Sequence, residues 1–299
     1  MVFSKKEGRI IYYNFNNIEL IKDGKGLKPN FWRAVTDNDF GNKMNENNIE
    51  WKTASTQSEV TKYVSNELKN GAINYIVTFS LPGVQTTCIS DYTIFGNGVI
   101  KVENTLNGSN YKGDIPRIGM RMQIPKKYDN LTYFGRGPWE NYQDRNTAAF
   151  VDVYTSKVKD QYVPYIRPQE NGYKTDTRWL ALSDEEHLGL LIVTGSTNLL
   201  SFSALHMENE DFDTTDGIDY KNSNMSKHTI DIKEKNLVQL NIDLGQRGVA
   251  GDDSWWSKPQ EKYQFNSSKA HSYSFFIIPF ENKTEEDFIN LSKYYTGLE

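Results

Sequence analysis

Four carboxylates, Glu140, Glu170, Asp252 and Asp253, stand in aromatic, turn-rich stretches: "GRGPWENY", "RPQENGY" and "GDDSWW". Two carboxyl groups flanking a glycosidic bond are what glycoside hydrolysis requires, about 5 Å apart for retention and farther for inversion. The same residues could instead fix loops through backbone N–H groups and arginines, and for these four that plainer role is the expectation. The four histidines, His187, His206, His228 and His271, are widely spaced and form no HExxH pair. The acidic run "HMENEDFDTTDGIDY", 206–220, superficially resembles a calcium loop. Counted from Asp211, however, Thr215, Asp216 and Asn222 fall where such a loop needs an oxygen ligand, a glycine and a glutamate. A solvated acidic loop is expected there, and no metal. The chain has no GxSxG elbow, P-loop or dinucleotide fingerprint. Its single cysteine, Cys88, excludes an internal disulfide and cysteine-based zinc. Set in "TTCISDYTI", Cys88 reads as a buried, inert thiol.

What must position these residues is a β-rich chain. Its 299 residues include 18 Tyr and 15 Phe, enough for a large core. Runs such as "INYIVTFSL", "TTCISDYTI", "GVIKVENTLNG", "IGMRMQI", "AAFVDVYT", "TRWLALS", "GLLIVTG", "NLLSFSAL", "HTIDIKE", "NLVQLNIDL" and "AHSYSFFIIPF" read as strands broken by Gly, Asn and Asp turns. Alternation in "HTIDIKE" and "NLVQLNIDL" suits antiparallel sheets with one wet face. Asn97-Gly98, in "FGNG", predicts a hairpin with a type I′ turn. Helix is scarce. "TEEDFINLSKYY" has Thr284 as N-cap and acids in its first turn, and "NENNIEWKTA" suits a short helix carrying Trp51. Many strands with one or two short helices imply an all-β fold, a large antiparallel sandwich. Residues 1–299 read as a single domain, with the polar stretch 104–116 the best candidate for an internal seam.

With net charge −5 and no long basic run, neither nucleic acid nor an anionic membrane is expected as partner. No apolar run approaches the ~20 residues of a membrane-spanning helix. "MVFSKKEGRI" has no apolar signal-peptide core, which leaves cytoplasm and periplasm both open.

Three stretches then act together: "FWRAVTDNDFG" (31–41), "YFGRGPWENYQDRNTAAFVDVYTSKVKDQYVPYIRPQENGYKTDTRW" (133–179) and "QRGVAGDDSWW" (246–256). In order and spacing they resemble the C-terminal domain, or small chain, of LacZ-type β-galactosidases in glycoside hydrolase family 2. The likeness runs from about residue 28 to the C-terminus. It departs at Ala250, where the family has glycine, and at Trp256.

The resemblance implies a galactose-mutarotase-like β supersandwich. It also implies no catalytic residue here, because the family's catalytic glutamates lie on an N-terminal TIM barrel, with its metal ions held mainly there. The implied partners are that barrel, as the remainder of a homo-oligomeric parent, and β-galactosides such as lactose; no cofactor is implied for this segment. Trp255 is the implied sugar platform, supported by Gly41, Gly251, Asp252 and Asp253, with Gly248 and Gly251 permitting a sharp backbone path. Glu140, Arg145, Glu170, Asn171 and Arg178 form the implied structural motif, in which Arg136, Arg145 and Arg178 are expected to lock Glu140, Asp144 and Glu170. The polar segment Gly41–Asn47 suits a lid at the site's mouth and equally an ordinary surface loop. Two other readings stay open: a free-standing aldose epimerase using a Glu and His187 or His206, and a carbohydrate-binding module using exposed aromatics.

Overall fold

In the computed structural model, residues 1–16, 18–195, 198–213, 227–253 and 255–297 are described. Nine strands form one sheet, in the spatial order Phe150–Lys157, Asn130–Gly137, Trp179–Ser183, Leu188–Thr194, His271–Glu281, Ile100–Leu106, Thr86–Ile94, Ile73–Leu81, Glu59–Glu67. A second sheet orders Lys174–Thr177, Leu200–Leu205, Val238–Gln246, Arg117–Ile124 and Lys28–Asn30. Neighbouring strands pair antiparallel in both, as in Leu131↔Leu182 and Met120↔Ile242.

Period-two alternation turns one side of each strand inward. Leu131, Tyr133, Leu180, Leu182, Leu190, Ile192, Phe275 and Ile277 of the large sheet share one core with Met120, Met122, Phe202, Leu240 and Ile242 of the small one. Tyr133 meets Phe202 edge-on across it, ring centroids 5.2 Å apart. The alternate residues Trp179, Ala181, Leu191, Val193, Phe276, Ile278 and Phe280 face outward yet are also buried. The helix Glu285–Thr296 covers them with Phe288 and Tyr295. Thr284 starts this helix, accepting from the Asp287 N–H while Asp287 accepts from the Thr284 N–H.

Several sequence expectations need correction. The turn at "FGNG" is not type I′, because Asn97 has no positive φ; only Gly98, at φ 86°, does. Gly98 N–H bonds Phe95 O and Phe95 N–H bonds Val99 O, the pattern of a three-residue loop with a glycine bulge. The stretch "HTIDIKE" forms no strand: Thr229–Asp231 is a single 3-10 turn that leaves Ile230 exposed. The strand Val238–Gln246 has no wet face, since Gln239, Asn241 and Asp243 are as buried as Val238, Leu240 and Ile242. The 104–116 stretch carries the chain from the large sheet to the small one, and its Asp114–Ile115 pairs with Phe265–Asn266. The segment proposed as a lid contains the helix Met44–Asn47, with Met44 buried and Asn48 bonded to Asp114. A further short helix, Asp37–Gly41, was not foreseen.

Candidate functional site

The three motif stretches meet at one end of the small sheet. The first supplies Asp37–Gly41, capped by Thr36 and Asp39. Arg33 grips the Asp39 carboxylate with both terminal nitrogens, at 2.7 and 3.1 Å, in full burial. The helix is therefore a rigid seat. A Cβ on Gly41 would lie 1.7 Å from Trp255 O and 3.0 Å from ring atom Cδ2 of Trp255. Only glycine lets the tryptophan loop rest there.

The middle and first stretches together hold the approach to that loop. Ala250 N–H donates to Asp144 Oδ2 at 2.8 Å, and Asn38 Nδ2 donates to Val249 O at 3.1 Å. Beyond it, Asp253 is the brace: Oδ1 accepts the N–H groups of Trp255 (3.0 Å), Trp256 (2.7 Å) and Ser257 (3.0 Å), and Oδ2 accepts the Ser257 hydroxyl (2.8 Å). These donors, led by Ser257 N–H, hold the Asp253 carboxyl well below the usual range. Asp252 accepts from Gln260 Nε2 at 3.0 Å. Neither Gly248 nor Gly251 has positive φ. They are needed for space: a Cβ would meet Asp144 Oδ2 at 2.4 Å in the first case and Ser257 O at 2.4 Å in the second. Trp255 is half-buried and Trp256 exposed, their rings edge-to-face at 6.4 Å. Ser254 lies outside the described residues.

The expected arginine locks are partly rearranged. Arg145 pairs with Glu140 at 2.7 Å, and Glu140 also accepts from Tyr165 OH and from Gly172 N–H at 2.8 Å. Arg136 goes instead to Asp176. Arg178 donates to Asp176 O at 2.6 Å and lies over the Phe134 ring. Asn171 accepts from Val163 N–H and donates to Gln169 O, fixing its own loop. Glu170 is gripped by Arg117 (2.9 Å) and Gln246 (2.8 Å), with Arg117 also 3.0 Å from Asp243 Oδ2, which Tyr173 OH reaches at 2.9 Å. Burial pushes Asp243 up to about 7 against the pull of Arg117. Sequence reading missed Arg117, Asp243 and Tyr173. The available signal was Arg117-Gly119-Arg121 at period two, which lines one face of a strand with charge and leaves room beside the glycine.

His206 is buried, its ring nitrogens 2.8 Å from Leu237 O and from Asp129 Oδ1, and His187 occupies a turn at φ 58°. Neither lines the cleft that Asn38, Tyr142, Arg145, Tyr165, Gln169 and Glu170 form beside the tryptophan loop, a space of ≈ 140 Å³. Cys88 is buried and its thiol is pushed up to about 12 by burial. The acidic 206–220 run lies outside the described residues from 214 on, and among the described residues no group of three His, Cys, Asp or Glu is placed to hold a metal ion.

Lys174 is also buried, its ammonium 3.4 Å from Gly172 O, and burial lowers it to about 8 against the pull of Glu140. The unfolded chain therefore holds this proton up to its ordinary 10.5 while the folded chain gives it up earlier. Stability should rise with pH between those values, by at most roughly 3 kcal/mol in total. Lys174→Met should abolish that rise and stabilise the fold at pH 7. Urea midpoints at pH 7.5 and 9.5 check this; an undiminished slope in the variant would rule Lys174 out as its source.

These elements define a large antiparallel β-sandwich with an aromatic-tipped loop beside a polar cleft. The chain belongs to the β-galactosidase small chain family, whose pattern matches residues 1–277. The match thus begins well before residue 28. The chain is 34% identical over 281 residues to a β-galactosidase of Priestia megaterium and 27% identical over 280 residues to one of Streptococcus thermophilus. Each alignment covers 93% of this chain, and the chain spans 25% and 26% of those relatives. Among solved structures it is similar to a TPR-domain containing protein from Parabacteroides distasonis, with TM-score 0.51 at 9% identity over 94% of this chain and 45% of that one. It also resembles a galactose mutarotase related enzyme from Lactobacillus acidophilus, with TM-score 0.47 at 10% identity over 95% of both chains.

Proposed function

We propose that this chain is the non-catalytic part of a β-galactosidase, that Trp255 forms one wall of its galactoside site, and that the hydrolytic carboxylates lie in the remainder of the parent. The seat of the Trp255 loop on Gly41 carries the reading. It commits three separate stretches of chain to presenting one half-buried tryptophan, far more bracing than a surface loop needs. Aromatic faces bind the C–H faces of sugar rings by burying apolar area. The carboxylates here suit no acid–base pair. Glu140, Glu170, Asp252 and Asp253 are each engaged by neighbouring donors, and the raised acid Asp243 is wholly buried. Trp139, Ile166 and Ile230 are exposed on loops joined to one another: Trp139 precedes Glu140, which accepts from Tyr165 OH, and Thr229 donates to Tyr165 O and Ile166 O. An apolar rim of this kind suits the surface on which the remainder of the parent docks.

The purified 299-residue chain should not turn over a chromogenic β-galactoside, and adding the separately expressed remainder of the parent should bring activity. Steady turnover by the chain alone that co-purifies through successive columns would overturn the assignment.

A further inference from the structure

At the edge of the small sheet two cations stand directly opposite each other. Lys28, on the edge strand Lys28–Asn30, pairs with Arg121 on the strand Arg117–Ile124. Opposed residues of an antiparallel pair lie on one face with Cβ atoms ~5 Å apart, and like charges placed so are destabilising. Arg121 finds relief in Glu210. Lys28 finds none: among the described residues it forms no ion pair, and its one hydrogen bond is a 3.4 Å contact of Nζ with Thr56 O. Burial, then Arg121 and Arg9, lower its ionisation below the ordinary lysine value, and Glu210 and Glu7 offset them less strongly. A half-buried ammonium held among guanidiniums without a counter-charge points to an anion supplied from outside the chain.

The surroundings give that anion a place. Arg9, Lys25, Lys28, Arg121, Glu208 and Glu210 line a recess of ≈ 370 Å³. Their side chains are partly exposed, so unlike the wholly buried Arg117 they can meet a solute. The charges on the lining narrow the class. Arg9 is paired with Glu7, Lys25 with Glu208 and Arg121 with Glu210, which leaves the charge of Lys28 over. Glu208 stays ionised, held at about 2 against the cost of burial by Lys235, Gln123 and Lys25. A doubly charged phosphate or sulfate would face two carboxylates with one free cation to hold it, whereas a single carboxylate matches the surplus. The recess equals about twelve waters at ~30 Å³ each, more than a carboxylate alone fills. Ionised Glu208 and Glu210 only accept hydrogen bonds, so the rest of the ligand must bring donors, as hydroxyl groups do. We infer that this recess binds a hydroxylated monocarboxylate of sugar-acid size, with its carboxylate between Lys28 and Arg121 and its hydroxyl groups donating to Glu208 and Glu210. None of the lining residues belongs to the Trp255 loop or to the cleft beside it. The site therefore stands or falls independently of the galactoside reading.

The test is a titration of the ¹⁵N-labelled 299-residue chain with potassium gluconate to about 0.1 M, replacing chloride at constant ionic strength, which detects affinities weaker than millimolar. Saturable shifts are expected at the amides of Gly26, Lys28 and Arg121, and none there with D-glucose. Lys28→Met keeps the aliphatic stem and removes the charge. It should weaken gluconate binding about tenfold and, without ligand, raise the urea midpoint by relieving the repulsion from Arg121. A lysine with only a structural role would not move affinity and stability in opposite directions. Lys28→Arg, which restores the charge, should restore binding. Absence of saturable shifts with gluconate, equal affinity or a lowered midpoint in Lys28→Met, or saturation of the same amides by D-glucose would overturn the site. Sulfate binding as tightly as gluconate would show general counter-ion attraction and overturn the carboxylate assignment.

Discussion

Arg117→Met should destabilise the chain by about 3–5 kcal/mol at pH 8, the cost of removing one partner from a buried charge cluster. Arg117 has no exposure and lies between two buried carboxylates, Glu170 at 2.9 Å and Asp243 at 3.0 Å. Methionine replaces the aliphatic stem but not the charge. Asp243 keeps Tyr173 OH and Glu170 keeps Gln246, neither of which neutralises a carboxylate. Without the guanidinium, the folded-state ionisation of Asp243 rises further above its unfolded value. The folded variant then binds more protons than the unfolded chain, so its stability falls as pH rises through that window. Urea unfolding should therefore show a smaller deficit at pH 5.5 than at pH 8. Arg117→Met with Asp243→Leu should recover part of the loss, because it removes one stranded charge along with its partner. A deficit under about 1 kcal/mol, or one equal at both pH values, would mean that the cluster carries little of the stability.

This cluster also shows where the sequence stops being legible. "INYIVTFSL" and "TTCISDYTI" could be read to the residue, Ile73–Leu81 and Thr86–Ile94, because their apolar sides meet the common core. "NLVQLNIDL" gave its strand but not its environment. Alternation reports which residues share a face, and says nothing of whether the polar face meets water or other protein. Here that face carries Asp243 and Asn241, buried among Arg117, Ser203 and Asn209. "HTIDIKE" alternates equally well but finds no neighbouring strand to pair with, and periodicity cannot supply one. In the candidate site, Asp253 as brace followed from the way aspartate caps turns. The partner of Glu170 did not. Arg117 lies 53 residues away in sequence, and nearer arginines were available in the same motif. The contact of Gly41 with Trp255 lies wholly in the tertiary arrangement.

That contact sets up the second large effect. In the full-length parent, Trp255→Ala should weaken galactoside binding by roughly 1–3 kcal/mol, the scale of one buried aromatic face, and leave the fold intact. Gly41→Ala should have an effect of similar size without touching the ring. Its new methyl would fall 1.7 Å from Trp255 O, and that atom belongs to backbone, which cannot rotate aside as a side chain could. Helix Asp37–Gly41 is not free to yield either, because the Arg33–Asp39 pair and the Thr36 cap fix it. The strain falls instead on the exposed arc around Asp253, whose hydrogen bonds to Trp255, Trp256 and Ser257 lie near the surface. The loop should lift and carry Trp255 out of place. If Gly41 acts through Trp255, the double variant should be little worse than either single one, whereas independent roles would give additive losses. KM and the affinity of a galactose-based competitive inhibitor, measured for all three variants, distinguish the two cases. Additive losses would separate the glycine seat from the tryptophan. An unchanged KM in Trp255→Ala together with a large fall in Tm would show that the ring holds the loop to the sandwich and does not hold sugar.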